Sequence, residues 1–368
     1  MGALGMPPRL RAGVIGLGYG RAHIPGCRAA GVEVVAVCQR NRAQAEQVAR
    51  RYGVPKVFDR WEELVSLPEL DFVVIATPPH LHHAIALRAF DLGKHVLCEK
   101  PLAMNLREAR EMVEAAARAK RVATTGFNWR FTSGMQALAQ LTMDGFPGRI
   151  FHVTATWFGS RFASQDAPSQ WRLDRTVAGP GVLGDMAVHL IDLVRWRVGE
   201  FVRVAAQAGI AYPERTTPRG TPADAEDYVT FFGELSNGAQ ATLQVSRVAH
   251  GYTTFHRLQL SGSAGALDYE IRAGQGKRWF RGELRQVLPK QPFQPVKLSG
   301  GLPKGLDPGD TSEVIAGVTI APLIKAMARA IRRGEPTSPS FEDGMRAQAV
   351  LDAVVEAARS RSWVEVPA

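Results

Sequence analysis

The chain has 368 residues with 45 % apolar and 22 % charged side chains, which excludes a disordered, collagen-like or disulfide-built protein. At roughly 150 residues per domain, this length predicts two domains, or three. The net charge is +10, but the arginines are scattered and do not form the basic stripe of a nucleic-acid-binding protein. No apolar run approaches the roughly 20 residues of a membrane span. Because residues 1–10 lack a signal-peptide core and the three cysteines lie apart, we expect a reduced, cytoplasmic protein.

The first third of the chain alternates strand and helix signals. Short apolar runs predict strands, and amphipathic stretches between them predict helices. The expected strands are 11–17, 32–37, 57–58, 71–76 and 95–98, and the expected helices are 20–30, 43–52, 61–66, 82–92 and 106–119. Because fully apolar strands separated by helices are typical of a parallel sheet covered on both faces, this part predicts an α/β domain.

After about residue 125 the pattern changes to successive strands separated by turn residues such as Asn237-Gly238. The expected strands are 150–157, 202–210, 228–232, 240–248, 257–261 and 266–271. A helix at 184–198 interrupts them, a Pro/Gly-rich loop or lid is expected at 288–309, and helices at 315–331 and 341–360 end the chain. The pattern predicts a largely antiparallel sheet in a second domain.

A glycine-rich turn, Gly16-Leu17-Gly18-Tyr19-Gly20-Arg21, follows the first strand. Gly16 would permit a tight turn, and Gly18 would let the backbone approach a pyrophosphate at the start of the next helix. The third glycine of the GxGxxG motif belongs at position 21, so Gly20 comes one residue early. The strand–turn–helix context predicts dinucleotide binding by Gly16, Gly18, Tyr19 and Gly20. The alternative is a glycine turn without a ligand.

The end of the second strand predicts which dinucleotide binds. An acidic residue there usually binds the adenosine ribose of NAD, and this chain has Gln39-Arg40-Asn41-Arg42 instead. A carboxylate would repel the 2′-phosphate of NADP, whereas Gln39 and Arg40 would not. We therefore expect NAD or NADP, with NADP favoured. The alternative is that Arg40 and Arg42 are solvated surface charges.

Four later motifs carry a family resemblance. They are Thr77-Pro78 followed by His82, the run Glu99-Lys100-Pro101, the run 128–131 (NWRF), and the glycine-rich run 178–189 (AGPGVLGDMAVH). Together they closely resemble the glucose–fructose oxidoreductase, inositol dehydrogenase and rhizopine catabolism (Gfo/Idh/MocA) family over essentially the whole chain.

The resemblance implies an N-terminal Rossmann domain at 1–126 and a C-terminal α+β domain at 127–368. The second domain would have a large, mostly antiparallel open sheet, and the last helices would be able to pack back on the first domain. Substrate would lie between the domains, over the nicotinamide. The residues implied to line the cofactor are Thr77, Pro78, His82, Glu99, Lys100 and Asn128.

Oxidation of a secondary alcohol needs a base, a donor to the developing alkoxide, and groups that hold the carbon against the nicotinamide. The resemblance implies that His189 is the general base, that Asp185 binds a substrate hydroxyl, and that Lys100 donates to the reacting oxygen. Asp185 and His189 are four residues apart on a predicted helix and so share one face. Outside this motif order, an exposed lysine and a surface pair would be the ordinary interpretation.

Arginines and aromatic residues near the glycine-rich loop would suit a hydroxyl-rich ring, through stacking and bidentate hydrogen bonds. For Trp157 we favour core packing. The expected substrate contacts are Arg130, Arg161, Trp171 and Arg172, together with Lys100, Asp185 and His189. His80, His82 and His83 are close in sequence, but no fitting cysteine or carboxylate set accompanies them, so we expect no metal.

These observations predict an NAD(P)-dependent oxidoreductase that moves a hydride between nicotinamide C4 and a carbon of a sugar, inositol or related polyol. The alternatives are an NAD-dependent glycosidase of the same family and a non-catalytic, dinucleotide-sensing regulator. We expect a homodimer or homotetramer formed through the open sheet face, with Val, Ile and Leu of 202–210 and 240–248 on at least one face. No nucleic-acid or membrane partner is expected.

Overall fold

A parallel sheet of six strands organises the first part of the chain in this computed structural model, which describes residues 9–272, 279–304, 306–307 and 309–367. The strands are β1 Arg11–Ile15, β2 Glu33–Cys38, β3 Lys56–Phe58, β4 Phe72–Ile75, β5 His95–Cys98 and β6 Ala123–Thr125. Their order is β3-β2-β1-β4-β5-β6, the strand order of a doubly wound dinucleotide-binding domain. The predicted Rossmann domain is confirmed. The sequence analysis missed β6, which is short and contains two threonines.

Five helices cover the two faces of this sheet. Asn41 and Asn105 cap two of them by accepting a hydrogen bond from the backbone N–H three residues on, and Gly53 ends one in the left-handed conformation. These caps explain why the predicted bounds lie close to the observed ones. The helices are α1 His23–Ala29, α2 Arg42–Tyr52, α3 Trp61–Val65, α4 His82–Asp91 and α5 Leu106–Ala119.

The second sheet has nine strands in the order β14-β13-β12-β11-β7-β10-β9-β8-β15 and is antiparallel except between β7 and β10. The mostly antiparallel sheet is therefore confirmed. Its strands are β7 Ile150–Phe158, β8 Phe201–Gly209, β9 Tyr228–Leu235, β10 Gln240–Ser246, β11 Phe255–Gly262, β12 Gly265–Arg272, β13 Glu283–Val287, β14 Gln294–Pro295 and β15 Val364–Glu365. The accompanying helices are α6 Ser133–Met143, α7 Arg175–Ala178, α8 Val188–Arg197, α9 Thr311–Ile315, α10 Ala321–Arg333 and α11 Phe341–Ser360.

One face of the second sheet packs on α8 and α11, and the other face is open. On β10, Ala241, Leu243 and Val245 are buried in the core, whereas Gln240, Thr242 and Gln244 alternate with them on the other face. On this strand, the open face therefore carries Thr and Gln. The apolar side chains of 240–248 lie on one face of the strand, as predicted, and this face packs on the protein's own helices instead of being exposed.

The segment containing α9 and α10 returns to the first part of the chain and packs on α1. Ile320 and Ile324 share an apolar cluster with Ile24 and Cys27 of that helix. The contact is close: a Cβ on Gly26 would lie 2.7 Å from Cγ2 of Ile320. The first sheet is therefore covered on this side by residues from near the C-terminus.

Two helical stretches, Arg175–Arg197 and Thr311–Arg333, are long and apolar enough to cross a membrane by length and composition, which the sequence analysis did not expect. Within their apolar windows, 89 % and 67 % of the residues are buried inside the fold. Both stretches thus pack as core helices.

Candidate active site

The glycine-rich turn has the shape that a bound pyrophosphate requires. Gly16 has φ +87°, and a Cβ there would lie 2.5 Å from the carbonyl oxygen of Ala76. A Cβ on Gly20 would lie 2.8 Å from the Cβ of Ala76. Gly20 therefore allows the close helix–strand packing that the third glycine of the motif, at position 21, would ordinarily provide. It can do so because a short 3₁₀ turn, Gly20–Ala22, begins before α1. A Cβ on Gly18 would meet no atom within 4 Å, and this open space beside the backbone fits the pyrophosphate of a dinucleotide.

Gln39 binds the glycine turn from the end of β2. Its Oε1 accepts a hydrogen bond from the backbone N–H of Leu17 at 2.7 Å, and its Nε2 donates to Gln44 at 2.9 Å. Arg40 is exposed and has no ion pair with any described residue, whereas Arg42 pairs with Glu46 at 3.2 Å. Gln39 and Arg40 thus lie where the ribose end of a dinucleotide would bind.

Tyr19, His23, Glu99 and Asn128 form a polar cluster where the glycine turn meets the end of β5. His23 Nε2 donates to Glu99 Oε1 at 2.8 Å, and both side chains are buried. Asn128 Nδ2 donates to Tyr19 Oη at 3.2 Å and to Thr319 Oγ1 at 2.7 Å. The cluster brings together three predicted cofactor residues, and the sequence analysis missed His23 because no motif marks it.

His82 holds two loops together. Its ring nitrogens lie 2.9 Å from the carbonyl oxygen of Thr77 and 3.0 Å from that of Pro101, and the side chain is fully buried. Both ring nitrogens face carbonyl oxygens, so the predicted contribution of His82 to cofactor binding would be made through the loops that it holds. His82 fixes the Thr77-Pro78 loop against the Lys100-Pro101 loop. His80 and His83 point elsewhere, to the Val177 carbonyl and to Glu111.

Lys100 and Asp185 meet across the gap between the two sheets. Lys100 Nζ donates to the backbone carbonyl of Asp185 at 2.5 Å and lies 3.4 Å from its Oδ1. Asp185 lies in a π-helical turn, Leu183–Ala187, that leads into α8. A Cβ on Gly184 would lie only 3.3 Å from Cγ of Pro101, so glycine allows the turn to approach the Lys100 loop. The close approach of the backbone at Gly184 to Pro101 therefore makes the contact between Lys100 and Asp185 possible.

Three cations surround the Asp185 carboxylate. Burial opposes its charge, but Lys100, Arg172 and Arg247 outweigh burial and hold the pKa of Asp185 well below its usual range. Arg172 Nε lies 3.5 Å from Oδ2, and its guanidinium stacks on Trp171 at 4.3 Å. Asp185 is therefore ionised at every pH at which the protein would be assayed.

His189 is a buried, neutral imidazole beside this pair. It stacks on Trp157 with ring centroids 5.4 Å apart and an interplanar angle of 28°. Burial and the positive charge of Lys100 lower the pKa of His189 well below its usual value. Trp157 thus belongs to the core, as favoured from the sequence, and also supports His189. The structure brings together Lys100, Asp185 and His189.

His256 is a second buried histidine that the sequence analysis missed. Its ring lies 5.2 Å from Trp129, 5.2 Å from Trp157 and 5.4 Å from Tyr269. Neither ring nitrogen has a hydrogen-bond partner among the described residues. No local motif marks this residue, because its neighbours come from distant parts of the chain.

We expect the His256→Phe variant to resist acid better than the wild type. Burial lowers the pKa of His256 to about 4, while the unfolded chain keeps the ordinary value of about 6.5. The unfolded state therefore binds the proton first, and stability is lost as pH falls from 6.5 to 4, by up to about 3 kcal/mol. Urea unfolding at pH 7 and pH 4.5 measures this. His250→Gln, at an exposed site, is the control, and equal pH dependence of wild type and His256→Phe would contradict the expectation.

Arg130 lies in the core rather than in the substrate cleft. Its guanidinium pairs with Asp192, lies 3.2 Å from Asp343 Oδ1 and donates to Ser338 at 3.1 Å, and both Arg130 and Asp192 are buried. Burial opposes its charge, but the two carboxylates outweigh burial and raise the pKa of Arg130. The expectation that Arg130 binds substrate was wrong, because this ion pair already occupies its donors.

The chain is similar to known proteins in family, sequence and structure. A family model described as an oxidoreductase family with an NAD-binding Rossmann fold matches residues 10–127, and the GFO/IDH/MocA C-terminal domain model matches 135–268. Levoglucosan dehydrogenase of Pseudarthrobacter phenanthrenivorans is 31 % identical over 354 residues, covering 90 % of this chain and 89 % of that protein. Inositol 2-dehydrogenase of Rhizobium meliloti is 27 % identical, covering 97 % and 99 %.

Solved structures agree with these matches over nearly the full length. A levoglucosan dehydrogenase in complex with NADH has a TM-score of 0.87 and 30 % identity, covering 98 % of this chain and 100 % of that chain. An NAD-binding oxidoreductase from Klebsiella pneumoniae has a TM-score of 0.85 and 27 % identity, with the same coverage. From the two matching family models and the relative that is similar over nine-tenths of its length, we conclude that this chain belongs to the Gfo/Idh/MocA family of NAD-binding oxidoreductases.

Proposed function

We propose that this protein is a dehydrogenase that transfers a hydride between nicotinamide C4 and a secondary alcohol carbon of a sugar or cyclic polyol. The observation that carries the proposal is the contact of the Lys100 ammonium with Asp185 beside a neutral, buried His189. The names of the relatives, which include levoglucosan and inositol dehydrogenases, support this class of substrate.

Each of the three side chains has a distinct task in this proposal. When bound, NAD(P)⁺ supplies the carbon that accepts the hydride. Neutral His189 takes the hydroxyl proton of the substrate, and its depressed pKa keeps it in the basic form at neutral pH. Lys100 donates a hydrogen bond to the oxygen on which negative charge develops. Asp185 orients Lys100 and accepts a hydrogen bond from a neighbouring hydroxyl of the substrate.

The experiment that tests this function is a nicotinamide absorbance assay with a panel of inositols, pyranoses and anhydrosugars. A dehydrogenase accumulates reduced cofactor in proportion to substrate consumed. An NAD-dependent glycosidase regenerates its cofactor and releases free sugar without net absorbance change, and a regulator binds dinucleotide without turnover. Because Lys100, Asp185 and His189 all lie together, we favour the dehydrogenase. Substrate cleavage without accumulation of reduced cofactor would overturn this proposal.

We propose that NADP is bound at least as well as NAD, because Gln39 and Arg40 follow β2 and Arg40 forms no ion pair within the described part of the chain. We expect the Arg40→Gln variant to raise the Kd for NADP about 10-fold, as for one lost charge-assisted contact, and to leave the Kd for NAD unchanged. Fluorescence titration with both reduced cofactors measures this. Arg42→Gln, which removes an arginine already paired with Glu46, is the control. An unchanged ratio of the two Kd values in Arg40→Gln would contradict the assignment.

We propose that the protein assembles as a homodimer or homotetramer through the open face of the second sheet. Phe232 and Tyr228 of β9 are 52 % and 44 % exposed there, which is unusual for aromatic side chains on a central strand. Light scattering coupled to size exclusion measures the assembly. We expect Phe232→Lys to reduce its mass, and a monomeric wild type would contradict this proposal.

We propose that the protein is cytoplasmic. Its three cysteines are free and buried, which suits a reducing compartment. Burial raises the pKa of both Cys27 and Cys38 to about 12, so neither forms a thiolate at neutral pH.

A further inference from the structure

Positive charge exceeds negative charge along the cleft wall that faces Asp185. Lys100 Nζ and Arg172 Nε lie 3.4 and 3.5 Å from the two oxygens of this carboxylate. The Arg172 Nε atom is itself buried and makes no hydrogen bond to a described residue. Asp185 thus lies beside two cations, and its single negative charge neutralises only one of their two positive charges.

A second carboxylate behind this pair is also shared. Asp227 Oδ2 accepts from Arg215 Nη2 at 2.7 Å, and Asp227 Oδ1 accepts from Arg247 Nε at 2.8 Å. Arg247 Nη1 donates in turn to the backbone carbonyl of Arg172 at 3.0 Å, so the group around Asp227 is in contact with the group around Asp185. Each of these two carboxylates is already shared by two cations and cannot neutralise a further one.

Arg161 is that further cation. Its Nη2 donates to the amide oxygen of Gln170 at 3.1 Å, and it has no carboxylate partner among the described residues. Arg161 is exposed, but partial desolvation and the positive charges of Arg172 and Arg247 lower its pKa, and Asp185 offsets only part of that effect. Because a guanidinium stays charged at neutral pH, its charge is retained and repels its neighbours.

Two other arginines of the same region show the contrast. Arg175 pairs with Glu226, and Arg219 Nε lies 2.7 Å from Asp174 Oδ2. Arginines that support the loops are thus matched by carboxylates of their own. Arg161 has no carboxylate partner among the described residues, and Arg172 shares Asp185 with Lys100, so the positive charge of this region is left in excess.

We propose that the physiological substrate carries an anionic group, a carboxylate or a phosphate, that binds Arg161 and Arg172. Guanidinium groups suit both anions because they offer paired N–H donors with matching geometry. Trp171 holds the plane of Arg172 by stacking, which lowers the entropy lost on binding. The inference rests on the proposed dehydrogenase function and narrows its substrate from neutral sugars to sugar acids or sugar phosphates.

Matched substrate series test the proposal. Each of glucose, galactose and myo-inositol is compared with its uronate or phosphate, and kcat/KM is measured for the wild type and for Arg161→Gln. We expect at least one acidic member to exceed its neutral parent by 10-fold or more, mainly through KM. Arg161→Gln should reduce that ratio at least 10-fold, whereas Arg203→Gln, at a distant pair with Glu234, should leave it unchanged. The uronate and phosphate arms identify which anion is used.

The possible failures are distinguishable. If neutral sugars are oxidised as well as or better than every acidic partner, the inference is wrong and the dehydrogenase function stands. If the acidic preference exists but Arg161→Gln leaves it intact, the assignment of Arg161 is wrong. If no member of any series yields reduced cofactor although cofactor binding is intact, the proposed function fails and this inference fails with it.

Discussion

The Lys100→Met variant is expected to lose about 1,000-fold in kcat while binding cofactor as the wild type does. Methionine keeps the length of the side chain but removes the ammonium that contacts Asp185 and that, in the proposed mechanism, donates to the reacting oxygen. Loss of a positioned donor and of acid–base assistance typically costs on the order of 100- to 10,000-fold. Steady-state kinetics with an identified substrate measure kcat, and fluorescence titration measures cofactor affinity.

Lys56→Met is the matched control, because it removes a lysine that pairs with Glu69 at the exposed edge of β3. It should leave kcat and cofactor affinity unchanged. A Lys100→Met variant with kcat within threefold of the wild type would show that Lys100 does not take part in the chemistry.

The Arg130→Met variant is expected to lose about 3–5 kcal/mol of unfolding free energy, without a change of KM in the protein that remains folded. Methionine leaves Asp192 buried at 1 % exposure without its cation, and an unpaired buried charge is costly. Denaturant unfolding measures the loss of stability. Kinetics at a temperature at which the variant is folded measure KM.

The double variant Arg130→Met/Asp192→Leu distinguishes the contribution of the ion pair to stability from the contribution of the side-chain packing around it. Removing both charges should recover most of the lost stability, because no buried carboxylate then lacks its partner. If the KM of Arg130→Met were raised 10-fold or more, Arg130 would contribute to substrate binding, which would contradict its purely structural role.

Periodicity and motif order in the sequence were sufficient to predict most of the fold and the proximity of the three proposed catalytic residues. The strand at His95–Cys98 and the helices Leu106–Ala119 and Phe341–Ser360 have the predicted bounds, because their apolar pattern and their caps or turns agree. Lys100, Asp185 and His189 were chosen together because the resemblance links their motifs. Their proximity in space follows from the fold that the resemblance implied.

Roles that depend on burial by distant residues could not be predicted from the sequence. Arg130 stands in a motif beside the predicted site, but the carboxylate that neutralises it, Asp192, is 62 positions away. His82 follows Thr77-Pro78 as expected, yet the Pro101 carbonyl engages its second nitrogen. His256 has no motif at all and is defined by the aromatic rings that enclose it. In each case the neighbours, and not the residue type, decide the function.

The packing of α1 against the segment near Ile320 affects how the chain is synthesised. The segment around Gly26 is synthesised long before the residues near Ile320 that cover it. At a synthesis rate of about 5–20 residues per second, its apolar surface stays uncovered for on the order of 15–60 s. During that interval the nascent first domain exposes a surface that can associate with other chains. A fragment that ends near residue 127 would keep that surface exposed permanently. A chimera that exchanges the first domain must therefore also exchange residues 311–333.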